Sequence, residues 1–158
     1  MRLLVAALLA FAAVPAAAQT RADPPDGVMY FPTGDPELKA SFEKAHAGFP
    51  DFFAHAAEPA DDESGFMVKF DLLPEPDKAE YIWATVDSHA EGVTVARIAN
   101  EPVDARFKRD QRVTIRDAQL LDWGYWKGDT LVGAESLHVQ IARMPPEQAA
   151  KTRAAFGW

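Results

Sequence analysis

A carboxylate beside a large aromatic ring is the most chemically suggestive feature of the sequence. Asp122 directly precedes Trp123 in the stretch 120–133, which also holds a second tryptophan and three glycines. A carboxyl group held against an indole and away from water can keep its proton and act as a general acid. Alternatively, Asp122 accepts backbone N–H bonds and fixes the entry to a hairpin. Because structural networks also contain perturbed carboxylates, we favour the second interpretation.

Glu80 is the second candidate acid. It comes just before Ile82 and Trp83 in a predicted strand, and it could pair with Asp122 for hydrolysis, which often uses two carboxylates. The alternative is that Glu80 is a solvated charge or the partner of a lysine such as Lys69.

Aromatic and basic residues supply the candidate contacts for a ligand or a protein partner. Such rings are usually core residues, but Trp126 lies beside a predicted hairpin turn and is the ring that we expect to meet solvent. Six cations between residues 97 and 116 form the one basic region of an acidic chain, which predicts either an anion-binding patch or a solvated face. The candidate contact residues are Trp126, Trp83, Asn100, Arg112 and Arg116.

Several classes of site are missing from the sequence. The absence of cysteine excludes disulfides, thiolate metal sites and thiol catalysis, and the four histidines lack metal-ligand spacing. There is no phosphate-binding loop, dinucleotide fingerprint or nucleic-acid motif. A formal net charge of −8 predicts repulsion from nucleic acid and anionic lipid. We expect no cofactor and no metal, and an unknown small ligand or protein as the partner.

The N-terminus has the pattern of a secretory signal. Arg2 is followed by an apolar run over residues 3–14, and Ala16-Ala17-Ala18 fits the cleavage pattern, which places the cut before Gln19. The run is shorter than the roughly 20 residues that span a membrane. We expect a signal peptide at 1–18, an extended leader at 19–34 and a single domain at 35–158, in the periplasm or secreted.

Helix signals lie at both ends of the predicted domain. Asp35 can cap a helix whose first residue is Pro36. Gly48 ends this segment, and residues 49–54 predict a second short helix or a continuation past a kink. A closing helix begins at Pro145-Pro146 and runs to about residue 156.

Between the helices the apolar residues repeat with a period of two, which is typical of strands. The predicted strands are 66–72, 81–86, 93–99 and 112–116. Gly128-Asp129 then lies between two apolar runs and predicts a hairpin with glycine at the first central turn position. Leu137, Val139 and Ile141 predict a last strand, with a helix as the alternative. The predicted fold class is α+β: an N-terminal helical segment, a strongly bent antiparallel sheet of six or seven strands resembling a half-barrel, and a C-terminal helix.

Short stretches spread along the chain match a known pattern in order. They are Asp35-Pro36-Glu37, Ala40, Ala45, Phe52, Val68-Lys69, Glu80-Tyr81-Ile82-Trp83, Ala99-Asn100-Glu101-Pro102, Asp122-Trp123 and Val132-Gly133. Over residues 35–144 the chain thus resembles the YegJ-like family, domain of unknown function 2314. The resemblance implies a small single domain that is often exported in bacteria, and it implies no assigned activity.

The chain departs from this family's pattern at three places. Members usually have glycine where Ala96 stands and Gly-Asp where Arg109-Asp110 stands. They also tend to have threonine and then arginine near Ser136 and His138, so a site built on that pair would be altered here.

Two functional hypotheses follow from the sequence. The first is an uncharacterised exported bacterial protein that serves as a non-catalytic binding or interaction domain of the periplasm. The alternative is a small hydrolase or lyase that uses Asp122 and Glu80 as an acid–base pair. Carboxyl groups that converge within about 10 Å in a concave pocket would favour the enzyme, whereas burial of one against backbone N–H groups would not.

Overall fold

Two short helices open the described part of the molecule. The computed structural model describes residue 31, residues 34–73 and residues 79–158. Helix α1 (Pro36–His46) begins where the Asp35 side chain accepts the backbone N–H groups of Glu37 and Leu38, as predicted. Helix α2 (Phe49–Ala57) follows as a separate element. The predicted signal peptide and nearly all of the predicted leader lie outside the described residues.

The centre of the fold is one antiparallel sheet. Its strands, in chain order, are β1 (Glu63–Asp71), β2 (Tyr81–Ala90), β3 (Val93–Ile98), β4 (Arg112–Arg116), β5 (Leu120–Lys127) and β6 (Thr130–Gly133). They lie side by side in the order β4-β3-β2-β1-β5-β6. The sheet is open and curved, which confirms the predicted α+β class with a bent antiparallel sheet.

The predicted hairpin joins β5 to β6. Lys127 is directly opposite Thr130, so only Gly128 and Asp129 form the connection. Gly128 has a φ of 55°, a conformation that glycine adopts without a steric penalty. This confirms the sequence prediction of glycine at the first central turn position.

The region predicted as a last strand is instead a helix, α3 (Glu135–Ala142). Gly133 and Ala134 have φ values of 76° and 56°, so the chain turns away from the sheet just before this region. The prediction of a strand at Leu137, Val139 and Ile141 is therefore wrong, and the helical alternative holds. Helix α4 (Pro146–Ala155) closes the chain, as predicted.

The two faces of the sheet carry different residues. Val68 and Phe70 of β1 pack in the main core with Phe52 of α2 and with the rings of β5. Lys69 lies between them in the chain and therefore points to the other face. Helices α1 and α3 pack against each other and against β5. The alternation of side chains along β1 thus places Lys69 on the face covered by helices, where its ammonium group needs polar partners.

Candidate functional site

A row across the sheet brings polar side chains together. Lys69 of β1 is directly opposite Trp83 of β2 and Asp122 of β5. Residues opposite each other in antiparallel strands share a face. Val68, which precedes Lys69, is opposite Trp123 and belongs to the aromatic core on the other side. The sheet register, rather than proximity in sequence, therefore assembles this site.

Ser136 completes the site from the first turn of α3. The Lys69 Nζ donates a hydrogen bond to Ser136 Oγ at 2.8 Å, and it lies 4.9 Å from the centroid of the Trp83 ring. Lys69 is 2 % exposed, and Asp122 and Ser136 are 0 % exposed. We call Lys69, Asp122 and Ser136 the buried polar cluster.

Asp122 holds the start of α3. Its carboxylate accepts backbone N–H groups from Ser136 at 2.8 Å, from Trp123 at 2.9 Å and from Glu135 at 3.2 Å. The N–H groups in the first turn of a helix lack partners within the helix. Ala134, at the cap position, has no side chain that could accept them. Asp122 therefore caps α3 from a neighbouring strand, which matches the backbone-binding interpretation of this residue.

Burial changes the acid–base properties of the cluster. Loss of water lowers the pKa of Lys69 from 10.5 to about 8, and the charge of Asp122 opposes that change. Burial also raises the pKa of Asp122, while hydrogen bonds from Ser136 and the charge of Lys69 act to lower it. In both groups burial is the largest influence, because few water molecules remain to solvate a charge there.

The cluster contains groups that could catalyse acyl transfer if they were accessible. A lysine of depressed pKa beside a serine hydroxyl is the pairing used by serine–lysine hydrolases. Here the Ser136 hydroxyl accepts from Lys69, the Ser136 backbone N–H donates to Asp122 at 2.8 Å, and the residue has no exposed surface. A substrate carbonyl therefore has no route to it in this structure.

The depressed pKa of Lys69 leads to a testable pH dependence. Between pH 8 and 10.5 the unfolded chain keeps the lysine proton and the folded chain loses it, whereas below pH 8 both states hold it. The contribution of Lys69 to the free energy of unfolding therefore rises with pH across this window, by at most about 3 kcal/mol. Urea titrations at about pH 7.5 and about pH 9.5 should show a smaller rise in Lys69→Met than in the wild type.

Lys39→Met is the matched control for this measurement. Lys39 is an exposed lysine on α1, so its replacement should leave the pH dependence of stability unchanged. Comparing variants removes the contributions of the other titrating groups, which are common to all three proteins. If Lys69→Met and the wild type have the same pH dependence, the attribution to Lys69 is incorrect.

The second predicted acid has a different location and different partners. Glu80 is half-buried just before β2, and its carboxylate accepts the backbone N–H groups of Val103 and Asp104 at 2.6 Å and 3.2 Å. These amides belong to the loop after β3. The carboxylates of Glu80 and Asp122 thus have no hydrogen-bond partner in common among the described residues. Glu80 and Asp122 instead accept backbone groups of two different segments, the loop after β3 and the start of α3.

The predicted contact residues separate into two groups. Arg112 and Arg116 are exposed on β4, and Asn100 is exposed in the loop before it. Trp83 is half-buried under Lys69. Trp126, the ring expected to be solvent-exposed, is also half-buried, because it packs against the ring of Phe156 with a centroid distance of 6.0 Å. The two arginines of β4 and Asn100 are therefore the exposed members of the predicted set, and the two tryptophans are not.

Sequence reasoning did not identify Lys69 and Ser136 as partners of Asp122. Lys69 occupies one of the alternating polar positions of β1, and this pattern predicts that its side chain faces solvent. Ser136 directly precedes the residues that predict a last strand, Leu137, Val139 and Ile141. One signal was available: Val68-Lys69 and Asp122-Trp123 are both among the stretches that resemble the known family. Pairing them required the strand register, which the sequence does not state.

Two depressions in the described part of the chain lie elsewhere, and the same stacked pair of rings lines both of them. The rings of Phe53 and His89 have centroids 3.5 Å apart, and His89 hydrogen-bonds to Asp117. The depressions have volumes of about 280 and 260 Å³ and include no residue of the buried polar cluster. Among the described residues, no group of three His, Asp or Glu could hold a metal ion. Within the same part of the chain, no helix is long and apolar enough to cross a membrane.

Comparison with known proteins supports the resemblance read from the sequence. The family model described as "Uncharacterized protein conserved in bacteria (DUF2314)" matches residues 35–158. The "Uncharacterized protein YegJ" of Escherichia coli (strain K12) is 26% identical over 94 residues, which are 59% of this chain and 61% of that protein. The match thus covers less than two thirds of the relative's length. No solved structure gives a significant match.

Proposed function

Since the chain belongs to the bacterial DUF2314 family, whose function is unknown, we propose that it is an exported protein that acts by binding rather than by catalysis. The observation that carries the proposal is the role of Asp122. This carboxylate is the strongest catalytic candidate in the sequence. It has no exposed surface and accepts three backbone N–H groups. It therefore stabilises the contact between β5 and the first turn of α3.

The other polar groups of the cluster support the same conclusion. Lys69 donates to the Ser136 hydroxyl, the backbone N–H of Ser136 donates to the Asp122 carboxylate, and both residues are buried. Buried polar groups that satisfy one another fix the arrangement of the elements that carry them. Glu80 does not join them, because it binds the loop after β3. An acid–base pair of Asp122 and Glu80 thus has no geometric support.

Export is supported by the sequence of residues 1–18. The charged start, the apolar run and the small residues before Gln19 are the three parts of a secretory signal. A net charge of −8 favours a freely soluble protein that is repelled by anionic lipid and nucleic acid. The place of action under this proposal is the periplasm.

One fractionation experiment tests both parts of the proposal. Bacteria that express the full chain should yield a periplasmic protein whose intact mass corresponds to a start at Gln19. A fluorophosphonate probe, which labels activated serine hydroxyls, should not label this native protein, because Ser136 is buried. Export would be contradicted by an uncleaved protein in the cytoplasm. Labelling that is lost in Ser136→Ala but kept in Ser64→Ala, an exposed serine of β1, would contradict the non-catalytic role.

A further inference from the structure

The two edges of the sheet differ in how they are covered. At the β6 edge, the backbone N–H of Leu131 donates to the carbonyl of Phe156 at 2.9 Å, and the Trp158 indole donates to the carbonyl of Leu131 at 2.7 Å. The C-terminal residues therefore occupy that edge. Strand β4 is at the other end of the strand order and pairs with β3 alone. Among the described residues, no strand lies on its outer side.

The hydrogen-bond alternation identifies the groups on the open side of β4. At the two ends of the β3–β4 pairing, Ile98 N–H donates to Gln111 and Asp117 N–H donates to Gly92, each at 3.0 Å. Antiparallel bonds alternate from residue to residue. The residues of β4 that lie an even number of positions from Gln111 and Asp117, which are Val113 and Ile115, therefore form backbone hydrogen bonds with β3. The backbone groups that point outward are those of Arg112, Thr114 and Arg116.

Most of the outward-pointing backbone groups of β4 have no hydrogen-bond partner in the described part of the chain. Arg116 N–H donates to the side chain of Gln119 at 3.0 Å, which agrees with an outward direction. The N–H and C=O groups of Arg112 and Thr114 have no hydrogen-bond partner among the described residues. Unpaired strand edges of this kind are templates for an added strand.

The side chains beside this edge are basic. Arg112 and Arg116 are exposed on the same face of β4, with Thr114 between them. Lys108 and Arg109, in the preceding loop, are also exposed. Within the described part of the chain, these four cationic side chains form no ion pair, whereas Arg97 on the neighbouring strand is paired with Asp87. Positive charge is thus concentrated at the open edge of an otherwise acidic protein.

A second copy of the chain is a poor occupant of this edge. If two β4 strands paired about a two-fold axis at Thr114, Arg112 of each copy would lie directly opposite Arg116 of the other. Like charges at directly opposed positions destabilise an antiparallel pair. An extended segment with acidic residues at the corresponding positions would instead form two ion pairs while it completes the backbone bonds.

We propose that the open edge of β4 binds an extended acidic segment of a partner protein as an additional strand, with Arg112 and Arg116 recognising acidic side chains four residues apart. This inference rests on the proposed binding function and names the partner's chemistry. Backbone bonds to Arg112 and Thr114 supply affinity, and the arginines supply the preference for acidic residues. The apolar side chains of such a segment would face Val113, which is half-buried at the margin of the core.

The test uses a labelled heptapeptide of alternating glutamate and valine, measured by fluorescence anisotropy with the purified protein. The probe should bind saturably and lose affinity as salt is added, because exposed ion pairs are screened. The corresponding peptide of alternating lysine and valine should not bind. Failure of the acidic peptide to bind at about 1 mM would overturn the proposal.

Two variants separate the charge from the backbone contribution. Arg112→Glu/Arg116→Glu should weaken binding about tenfold, because both ion pairs become repulsions. Thr114→Pro removes an outward N–H and blocks the edge, yet it breaks no bond to β3, and proline is tolerated at such edge positions. It should abolish binding and leave the thermal midpoint close to that of the wild type. If Thr114→Pro does not fold, the charge variant still decides the outcome.

Lys39→Glu/Arg153→Glu is the matched control. It changes the net charge equally, at exposed positions on α1 and α4, and it should change the affinity by less than about twofold. Equal weakening by the control and the β4 charge variant would overturn specific recognition at the edge. A natural partner that binds the wild type and both β4 variants equally would also overturn it, while the proposed binding function would stand.

Discussion

Asp122→Ala is expected to lower the free energy of unfolding by about 3–5 kcal/mol, because it leaves buried N–H groups without an acceptor and removes the negative charge that acts on a buried lysine. Two consequences follow from the same substitution. The first-turn N–H groups of α3 at Glu135 and Ser136 lose their acceptor, and Lys69 is left buried without its counter-charge. Because domains of this size are stabilised by only about 5–15 kcal/mol, this loss removes a large share of the total stability.

Urea titration followed by circular dichroism measures this loss, and two variants bracket it. Asp122→Asn keeps an acceptor oxygen for α3 and should lose less than Asp122→Ala. Glu80→Ala removes a carboxylate that also accepts two backbone N–H groups, but in a half-buried position. It should lose only about 1–2 kcal/mol. If Asp122→Ala and Glu80→Ala lose similar amounts of free energy of unfolding, the burial of the cluster does not increase the contribution of Asp122 to stability.

A double-mutant cycle shows whether Asp122 acts on Lys69 or only on α3. Lys69→Met alone leaves a buried carboxylate without its cation, whereas Lys69→Met/Asp122→Asn removes both charges. We therefore expect the double variant to be more stable than the sum of the single losses predicts, by about 0.5–3 kcal/mol. Additive losses would show that the two residues are not coupled.

The local elements of this fold were predictable because their signals are local. Asp35 followed by Pro36 marks a helix start, and the structure shows the capping bonds that this pattern implies. Gly128-Asp129 between apolar runs fixes a two-residue hairpin. These features depend on contacts within a few residues, so the amino-acid order contains the information needed to infer them.

The last predicted strand failed because a distant residue decides its structure. Residues 137–141 alternate as a strand would, but they follow Gly133 and Ala134, both with positive φ. Asp122, 13 and 14 residues earlier than its partners Glu135 and Ser136, then supplies the helix cap. Alternation over five residues cannot outweigh a cap and a chain reversal set by tertiary contacts.

The candidate site was only half predictable for the same reason. The adjacency of Asp122 and Trp123 in the sequence is enough to single out Asp122 as a candidate. The backbone-binding interpretation then follows from ordinary carboxylate chemistry. Lys69 becomes its partner only through the register of β1 and β5, which contains irregularities on both sides of the Lys69–Asp122 pair. The arginines of β4 were identified as a basic region, but the open strand edge beside them depends on the strand order.

Gly133→Ala is expected to cause a loss of about 2–4 kcal/mol, well beyond the usual effect of alanine at positive φ. Gly133 has a φ of 76°. A Cβ there would lie 2.6 Å from the carbonyl oxygen of Trp123 and equally close to its ring. That carbonyl also accepts the backbone N–H of Ala134 at 2.6 Å. The backbone cannot move away without breaking the pairing of Gly133 with Gly124 on β5.

Gly128→Ala separates the two causes of this loss. Gly128 also has a positive φ, 55°, but no atom lies within 4 Å of the position that a Cβ would take. Gly128→Ala should therefore show only the conformational effect of about 1 kcal/mol. Urea unfolding monitored by tryptophan fluorescence measures both variants under the same conditions. Equal losses would show that the close approach of Trp123 to Gly133 does not restrict this position. A larger loss in Gly133→Ala would show that the turn from β6 into α3 needs glycine for space as well as for conformation, because the ring and carbonyl of Trp123 fill the volume beside it.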